Sequence, residues 1–329
     1  MAAAIASQDI EELSQNGVER EDLQFEGASQ VYVDLDFLPP GVKVPFPDIS
    51  STYHTPIPRA IKPGDPCILG VDEAGRGPVL GAMVYALSYC LKSYAEKLPS
   101  FGFADSKQLT HAIRMSLFTR ICNDGQSSDD SELFENIGWA TRIMTARDIS
   151  SGMLRSQTGR VYNLNEQAHD ATITLINEVL AMGVNVTEIY VDTVGPPASY
   201  QAKLSTYFPS IKVIVTKKAD SLFPIVSVAS ICAKVTRDIS LMCRDESDGR
   251  WGSGYPSDGK TTKWLKDALD PVFGWSGVVR FSWQTSKDLL EKNEGAVKVD
   301  WNDQDSADIR QSAMQSSGYW IGKLVTSEF

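Results

Sequence analysis

Histidine and cysteine are scarce in this chain, and their scarcity narrows the chemistry open to it. The three histidines, His54, His111 and His169, do not cluster. A histidine-held metal or a Ser-His-Asp triad is therefore not expected, and any metal must be bound by oxygen, which points to Mg²⁺ or Mn²⁺. The five cysteines, Cys67, Cys90, Cys122, Cys232 and Cys243, are odd in number and form no CxxC pair. That argues for a reducing compartment and against a disulfide framework or a cysteine zinc site. No apolar stretch approaches the roughly 18 residues that a membrane span needs, so no membrane partner is expected. The opening MAAAIASQDIEEL has neither a basic leader nor a long apolar run, and no secretory signal is expected from it.

Positive charge is also in short supply, with a formal net charge of −11. The acidity lies at the ends. Residues 1–60 carry ten acidic and three basic side chains, and residues 289–329 carry seven and four. The long middle holds 25 acidic against 24 basic, which leaves room for a local basic groove of the kind phosphate binding requires.

Residues 1–60 read as an acidic, then Pro-rich extension, through LPPGVKVPFPDISS and TPIPRAIKPGDP, with little capacity for helix or sheet interior. The segment nearer residue 60 is expected to lie extended on the domain surface. A catalytic domain over 61–290 follows, with a smaller helical subdomain from about 245, and 291–329 reads as a docking extension. CILGVDEAGRGPVLGAMVYALSYC contains two β-capable runs around a Gly/Pro turn, a hairpin pattern. Ile137–Met144 is a further strand candidate. From Asn163 to Met182 the apolar positions Leu164, Ala168, Ala171, Leu175, Val179 and Met182 keep helical spacing, and Gly183 is placed to end the helix. Strand Thr187–Asp192, helix Ala198–Tyr207, strand Lys212–Lys217 and helix Ile225–Cys243 follow. Strands alternating with helices imply parallel pairs, while the hairpin supplies antiparallel ones, so the fold class is α/β with a mixed sheet flanked by helices.

The acids sit in informative places. Asp72 and Glu73 close the first strand candidate, Asp192 closes EIYVD, and Asp220 follows IKVIVTKKA. Ligands of open α/β sheets bind beyond strand ends, so three strands ending in acids gather carboxylates at one edge. Neighbours in a strand face opposite ways, and Ala74–Gly75 could bend the chain so that Asp72 and Glu73 converge. Two divalent cations would neutralise four such carboxylates. Taken singly, each acid has a blander role open to it: a solvated pair for Asp72–Glu73, a helix cap for Asp192, a cap or turn residue for Asp220. Composition and spacing alone reach only a hydrolase of phosphate esters.

The loop Gly75-Arg76-Gly77 would let backbone N–H groups approach a ligand, with Arg76 able to fork two hydrogen bonds, although a simple turn is the alternative. No P-loop pattern is present. Tyr255, in GSGYPSD, is an aromatic on a mobile polar loop that could stack on a sugar or base, or pack on its own domain. Lys107, Lys217, Lys218, Lys234 and Arg237 are candidate phosphate contacts, and scattered lysines are also what any solvated face carries. The apolar patches VVRFSW and SGYWIGKLV are expected to form surfaces completed by partner subunits. Gln311, Met314 and Tyr319–Trp320 are faintly similar to a sliding-clamp peptide, but the aromatics fall two places late and the segment reads as partner- or self-docking.

The segments GVDEAGRGPVLG, ADSKQLT, YVDTVGPP, KKADSLFPIVSVASICAKVTRD and GSGYPSD, in this order and spacing, resemble type 2 ribonuclease H in its eukaryotic catalytic-subunit form. The resemblance runs from about Cys67 to Leu290. It implies a ribonuclease H-like mixed five-stranded sheet with helices on both faces and a C-terminal helical subdomain. It implies a Mg²⁺ or Mn²⁺ site with two ions on Asp72, Glu73, Asp192 and Asp220, reading of the 2′-hydroxyl by Gly75, Arg76 and Gly77, and substrate sensing by Tyr255. It further implies RNA/DNA hybrids and ribonucleotide-containing duplex DNA as substrates, two non-catalytic subunits in a heterotrimer, and a nuclear setting, with a cytoplasmic one also open, in replication and ribonucleotide excision. The rival enzyme reading, a junction resolvase or integrase of the same fold, needs the acids but neither the Gly-Arg-Gly motif nor the tyrosine. A catalytically silent binding subunit would lack at least one acid, and all four are present.

Overall fold

The central strands bury both faces, which is why they read as near-continuous apolar runs rather than as alternation. The computed structural model describes residues 37–103, 109–123, 128–154, 162–193, 195–244, 249–293 and 295. Its strands are β1 (Ser51–His54), β2 (Cys67–Ala74), β3 (Met83–Leu91), β4 (Gly138–Met144), β5 (Val186–Asp192) and β6 (Lys212–Thr216). They form one mixed sheet in the order β1-β4-β3-β2-β5-β6. β2 and β3 are the expected antiparallel hairpin, and β2–β5 and β5–β6 are the parallel pairs.

The resemblance implied five strands, and the sheet has a sixth. β1 pairs antiparallel with β4 at the sheet edge, Ser51 opposite Ile143. It lies inside the Pro-rich stretch, but STYH itself holds no proline and is rich in residues that favour strands, and an edge position asks for only one row of hydrogen bonds. The Tyr53 ring packs 5.1 Å from that of Trp139, which fastens this stretch to the core.

The helices are α1 (His111–Cys122), α2 (Ser128–Asn136), α3 (Ala146–Met153), α4 (Leu164–Ala181), α5 (Pro197–Tyr207), α6 (Ala219–Leu222), α7 (Pro224–Met242), α8 (Gly259–Asp267) and α9 (Gln284–Lys292). One sheet face packs on α7 and α1 through residues such as Val84, Phe118, Trp139, Val228 and Ile231. The other packs on α4 and α5 through Leu69, Tyr85, Leu87, Leu175, Ile176 and Leu204. α4 begins with a capping box, Asn163 with Glu166, and Gly183 at φ +96° follows it. None of the helices is long and apolar enough to cross a membrane, among the described residues.

Two features of this packing place the site. At Gly70 a Cβ would lie 2.6 Å from the Ile225 carbonyl, so glycine lets the start of α7 lie directly on β2. In addition, a third core of Val79, Leu80, Trp251, Leu265, Trp275, Val278 and Val279 joins the C-terminal helical region to the β2–β3 connection. The subdomain is thereby anchored on the loop that follows Asp72 and Glu73. On β5, Glu188 accepts from the Tyr190 hydroxyl at 2.5 Å, from Lys212 Nζ at 3.3 Å and from Lys92. The hydrogen bonds from Lys92 and then Tyr190 lead in holding its carboxyl at about 2.

Candidate active site

Strand register brings the acids together. Val71 of β2 lies beside Val191 of β5, so Asp72 and Asp192 are the next residues of neighbouring parallel strands. Asp192 pairs in turn with Thr216 at the end of β6. The chain then turns through Lys218, the one non-glycine residue at positive φ (+58°) among those described, into the short helix α6. Asp192 Oδ1 accepts the Ala219 N–H at 2.9 Å, which locks α6 and the buried Asp220 against the end of β5. Glu73 sits beside Asp72, where Gly75 at φ +79° bends the strand away; a Cβ there would lie 2.7 Å from the Ala82 carbonyl.

These carboxylates feel one another. Burial first, and then the charge of Asp192, raise Asp72 to about 7, against a hydrogen bond from Ser230 and the charge of Lys234. Burial, then Asp72 and Asp192, raise Glu73 to about 8, with Arg76 opposing. Such a cluster of oxygen donors, raised by burial and mutual repulsion, matches the chemistry of a hard divalent cation, which would favour the ionised forms. Among the described residues no three His, Cys, Asp or Glu side chains stand close enough to grip one ion as they are. Asp72, Glu73 and Asp192 therefore share one end of the sheet without closing into a cage, and Asp220 follows Ala219, which is bonded to Asp192.

Beside this rim lie the two glycine loops. The Tyr255 ring flanks Gly77, where a Cβ would come 3.3 Å from it. Tyr255 is 44 % exposed, and its loop is tied by several hydrogen bonds. Gly254 accepts from Val79 N at 2.8 Å, and Asp258 accepts from Ser253 N at 2.6 Å and Oγ at 2.8 Å while capping α8. Arg76 is likewise held: its Nη2 donates to Asn165 Oδ1, in the first turn of α4, at 2.5 Å.

The segment VVRFSW, expected on a partner-facing surface, is instead interior. Val278, Val279 and Arg280 are buried, and Arg280 is wholly so. Its guanidinium donates to three backbone carbonyls of the loop, Gly81 at 3.0 Å, Arg76 at 3.2 Å and Gly75 at 2.6 Å. Burial, and then the like charge of Arg237, pull Arg280 down to about 9, which leaves it a cation at neutral pH. Trp283 Nε1 donates to the Gly77 carbonyl at 3.1 Å, and the Arg280 guanidinium lies 4.7 Å from the Trp283 ring centroid. Sequence pattern does not single out Arg280, Trp283, Asn165 or Ser230. The one signal it offers is an arginine inside an apolar run.

Of the candidate lysines, Lys234 lies on α7 near enough to Asp72 to lower it. Lys217 and Lys218 are exposed at the turn into α6, Arg237 packs behind Gly75, and Lys107 lies outside the described residues. SGYWIGKLV and the clamp-like segment also lie outside them.

The Ribonuclease HII family model matches residues 69–286. The chain belongs to this family. It is 54 % identical over 277 residues to a ribonuclease H2 subunit of Schizosaccharomyces pombe, covering 82 % of each chain. To the corresponding human ribonuclease H2 subunit it is 46 % identical over 277 residues, covering 82 % of this chain and 86 % of that one. Among solved structures it is similar to the ribonuclease H2 of Pyrococcus horikoshii, with a TM-score of 0.57, 30 % identity, and coverage of 69 % of this chain and 98 % of that one. The protein is a type 2 ribonuclease H, an endoribonuclease acting on RNA/DNA hybrids, and its sheet with flanking helices is the ribonuclease H fold. Two features of the site suit that activity: carboxylates raised by burial and then by one another's charge at the strand ends, and two restrained glycine loops beside them.

Proposed function

We propose that this enzyme cuts the RNA strand of RNA/DNA hybrids and also cuts 5′ of single ribonucleotides embedded in duplex DNA, leaving a 5′-phosphate and a 3′-hydroxyl. What supports the finer reading is the contact between Tyr255 and Gly77 at the edge of the acid rim. The 2′-hydroxyl is the only group that separates ribose from deoxyribose, and reading one of them demands a close, rigid approach of backbone and ring. Glycine at 75 and 77 permits the approach, and the strapped Tyr255 loop supplies the ring. A junction nuclease of the same fold would need the acids alone.

Asp72, Glu73, Asp192 and Asp220 would hold two Mg²⁺ or Mn²⁺ ions. Bound there, the ions would supply Lewis acidity to activate water and to stabilise charge on the leaving 3′ oxygen. The chain's own residues do the rest. Gly75, Arg76 and Gly77 orient the sugar, and Arg76, held by Asn165, presents its remaining N–H donors to the substrate. Tyr255 packs against the sugar beside the scissile bond. Lys218 and Lys234 add positive charge along the backbone path, with Lys107 in the same role.

The relatives are named as subunits, and this reading extends to the present chain, which would work with two non-catalytic partners. The exposed Val272 and Phe273, 60 % and 82 % accessible at a tight turn, suit a surface that another protein covers.

Cleavage of a duplex carrying one ribonucleotide, beside the same duplex as all DNA, tests this. The expected result is divalent-dependent cutting on the 5′ side of the ribonucleotide only. Equal cutting of the all-DNA duplex would move the protein to the junction-nuclease reading.

A further inference from the structure

The reading loop is held by two residues that are not among the acids, the buried Arg280 and the half-buried Trp283, the latter lining an open cleft beside Arg76 and Gly77. In a trans peptide, the carbonyl of one residue and the N–H of the next point in opposite directions. The Gly75–Arg76 and Arg76–Gly77 bonds are trans, the only cis bond among the described residues being Val44–Pro45. Arg280 Nη2 holds the Gly75 carbonyl and Nη1 holds the Arg76 carbonyl. Both peptide planes are thereby fixed with their oxygens toward Arg280, so the N–H groups of Arg76 and Gly77 face away from it. Neither N–H donates to another group among the described residues. Trp283 secures the next carbonyl, Gly77, and its ring lies against the guanidinium that secures the other two. Three successive carbonyls are thus pinned by one short segment, Arg280–Trp283.

We infer that Arg280 and Trp283 are positioning residues for ribose specificity: by pinning the carbonyls of Gly75, Arg76 and Gly77 they aim the Arg76 and Gly77 N–H groups at the sugar of the substrate. This rests on the reading that the loop senses the 2′-hydroxyl. Two glycines leave the loop backbone free to rotate, and a donor that must find a single hydroxyl loses selectivity if its peptide plane swings. Arginine suits the task because its planar fork fixes several acceptors at once; lysine offers a single pivot. Burial of the charge is tolerable because all three sides of the guanidinium donate to carbonyls and an aromatic face covers it.

The test uses the full chain with calcium as the only divalent ion, and measures dissociation constants for two duplexes that differ by one 2′-hydroxyl. Trp283→Phe keeps a ring beside Arg280 and removes the N–H. Arg280→Lys keeps the charge and removes the fork. For Trp283→Phe, affinity for the ribonucleotide duplex should fall about threefold to tenfold, the scale of one hydrogen bond, with the all-DNA duplex unchanged. Arg280→Lys should lower the discrimination further if its melting curve shows it folded; Trp283→Phe carries the test if it does not. A merely structural role would weaken both duplexes alike. That outcome, or a folded Trp283→Phe with undiminished discrimination, overturns the proposal. A wild-type protein that binds the two duplexes equally overturns the ribose-reading loop itself, and the positioning role with it.

Discussion

The acid rim and the reading loops lie side by side and are built in opposite ways. The rim comes from strand ends: parallel register puts Asp72 beside Asp192, and Ala219 ties Asp220 to the same edge. Its geometry follows from backbone hydrogen bonding in the sheet. The loops have no such ladder. They are held by side chains from far along the chain, Arg280 and Trp283 behind Gly75–Gly77 and Asp258 under Tyr255. On the proposed function this difference is a division of labour, with chemistry on the sheet edge and substrate selection on loops held by the C-terminal helical region.

The sharpest way to break the comparison is to disable the rim alone. Asp192→Asn should lower turnover by more than about a thousandfold, because metal-assisted hydrolysis carries several kcal/mol of the barrier. Near-normal cutting at saturating Mg²⁺ would remove Asp192 from the metal site.

Disabling the loops should cost less and act selectively. On the proposed reading the Tyr255 hydroxyl reaches the 2′-hydroxyl, so Tyr255→Phe would lose one hydrogen bond, worth about 0.5–1.5 kcal/mol. Tyr255→Ala loses the ring as well, about 1–3 kcal/mol more. The deficit in kcat/KM should be larger for a lone ribonucleotide than for a continuous hybrid. Equal deficits on the two substrates would leave Tyr255 as packing.

A third position probes how the rim depends on its scaffold. Gly70→Ala drives a Cβ against the Ile225 backbone. Overpacking of this kind costs about 1–3 kcal/mol, and the melting temperature should fall accordingly. If Gly70→Ala melts like the wild type, α7 does not press on β2 as described.

An effect on stability alone is expected at Glu188, on the same strand as Asp192 but remote from both regions. Its folded value, about 2, lies below the ordinary 4.5. Its contribution is therefore fully present above pH 4.5 and is lost as pH falls through about 2. Glu188→Gln should lower stability at neutral pH by about 1–2 kcal/mol, with the gap to wild type closing in acid and substrate discrimination unchanged. A gap that persists at pH 2 would mean that its ion pairs are not the source.

The contrast between rim and loops also explains what was legible in the sequence. Asp192 closes an apolar run and Asp72 precedes a glycine bend, so the edge of the sheet could be read from local pattern. The Gly-Arg-Gly loop and Tyr255 could be found from turn chemistry and from the resemblance. Their supports could not. VVRFSW reads as apolar surface because apolarity records that a segment is covered without recording by what, and here the cover is the protein's own loop. Tyr255 reads as mobile because Gly, Ser and Pro dominate its neighbourhood, while the carboxylate that straps it lies three residues on. β1 was hidden by flanking prolines. Lys234 was legible as a helical lysine, but only packing shows that it faces Asp72.

The central claim is that cutting and ribose reading are separable. The most direct test is the ratio of dissociation constants of Asp192→Asn for the all-DNA and the single-ribonucleotide duplex, measured beside wild type. The account predicts that cleavage is lost while the ratio stays within about twofold of wild type, since additivity holds to a few tenths of a kcal/mol for independent groups. A ratio that collapses to one in Asp192→Asn would contradict it, because the acids would then be reading the sugar as well.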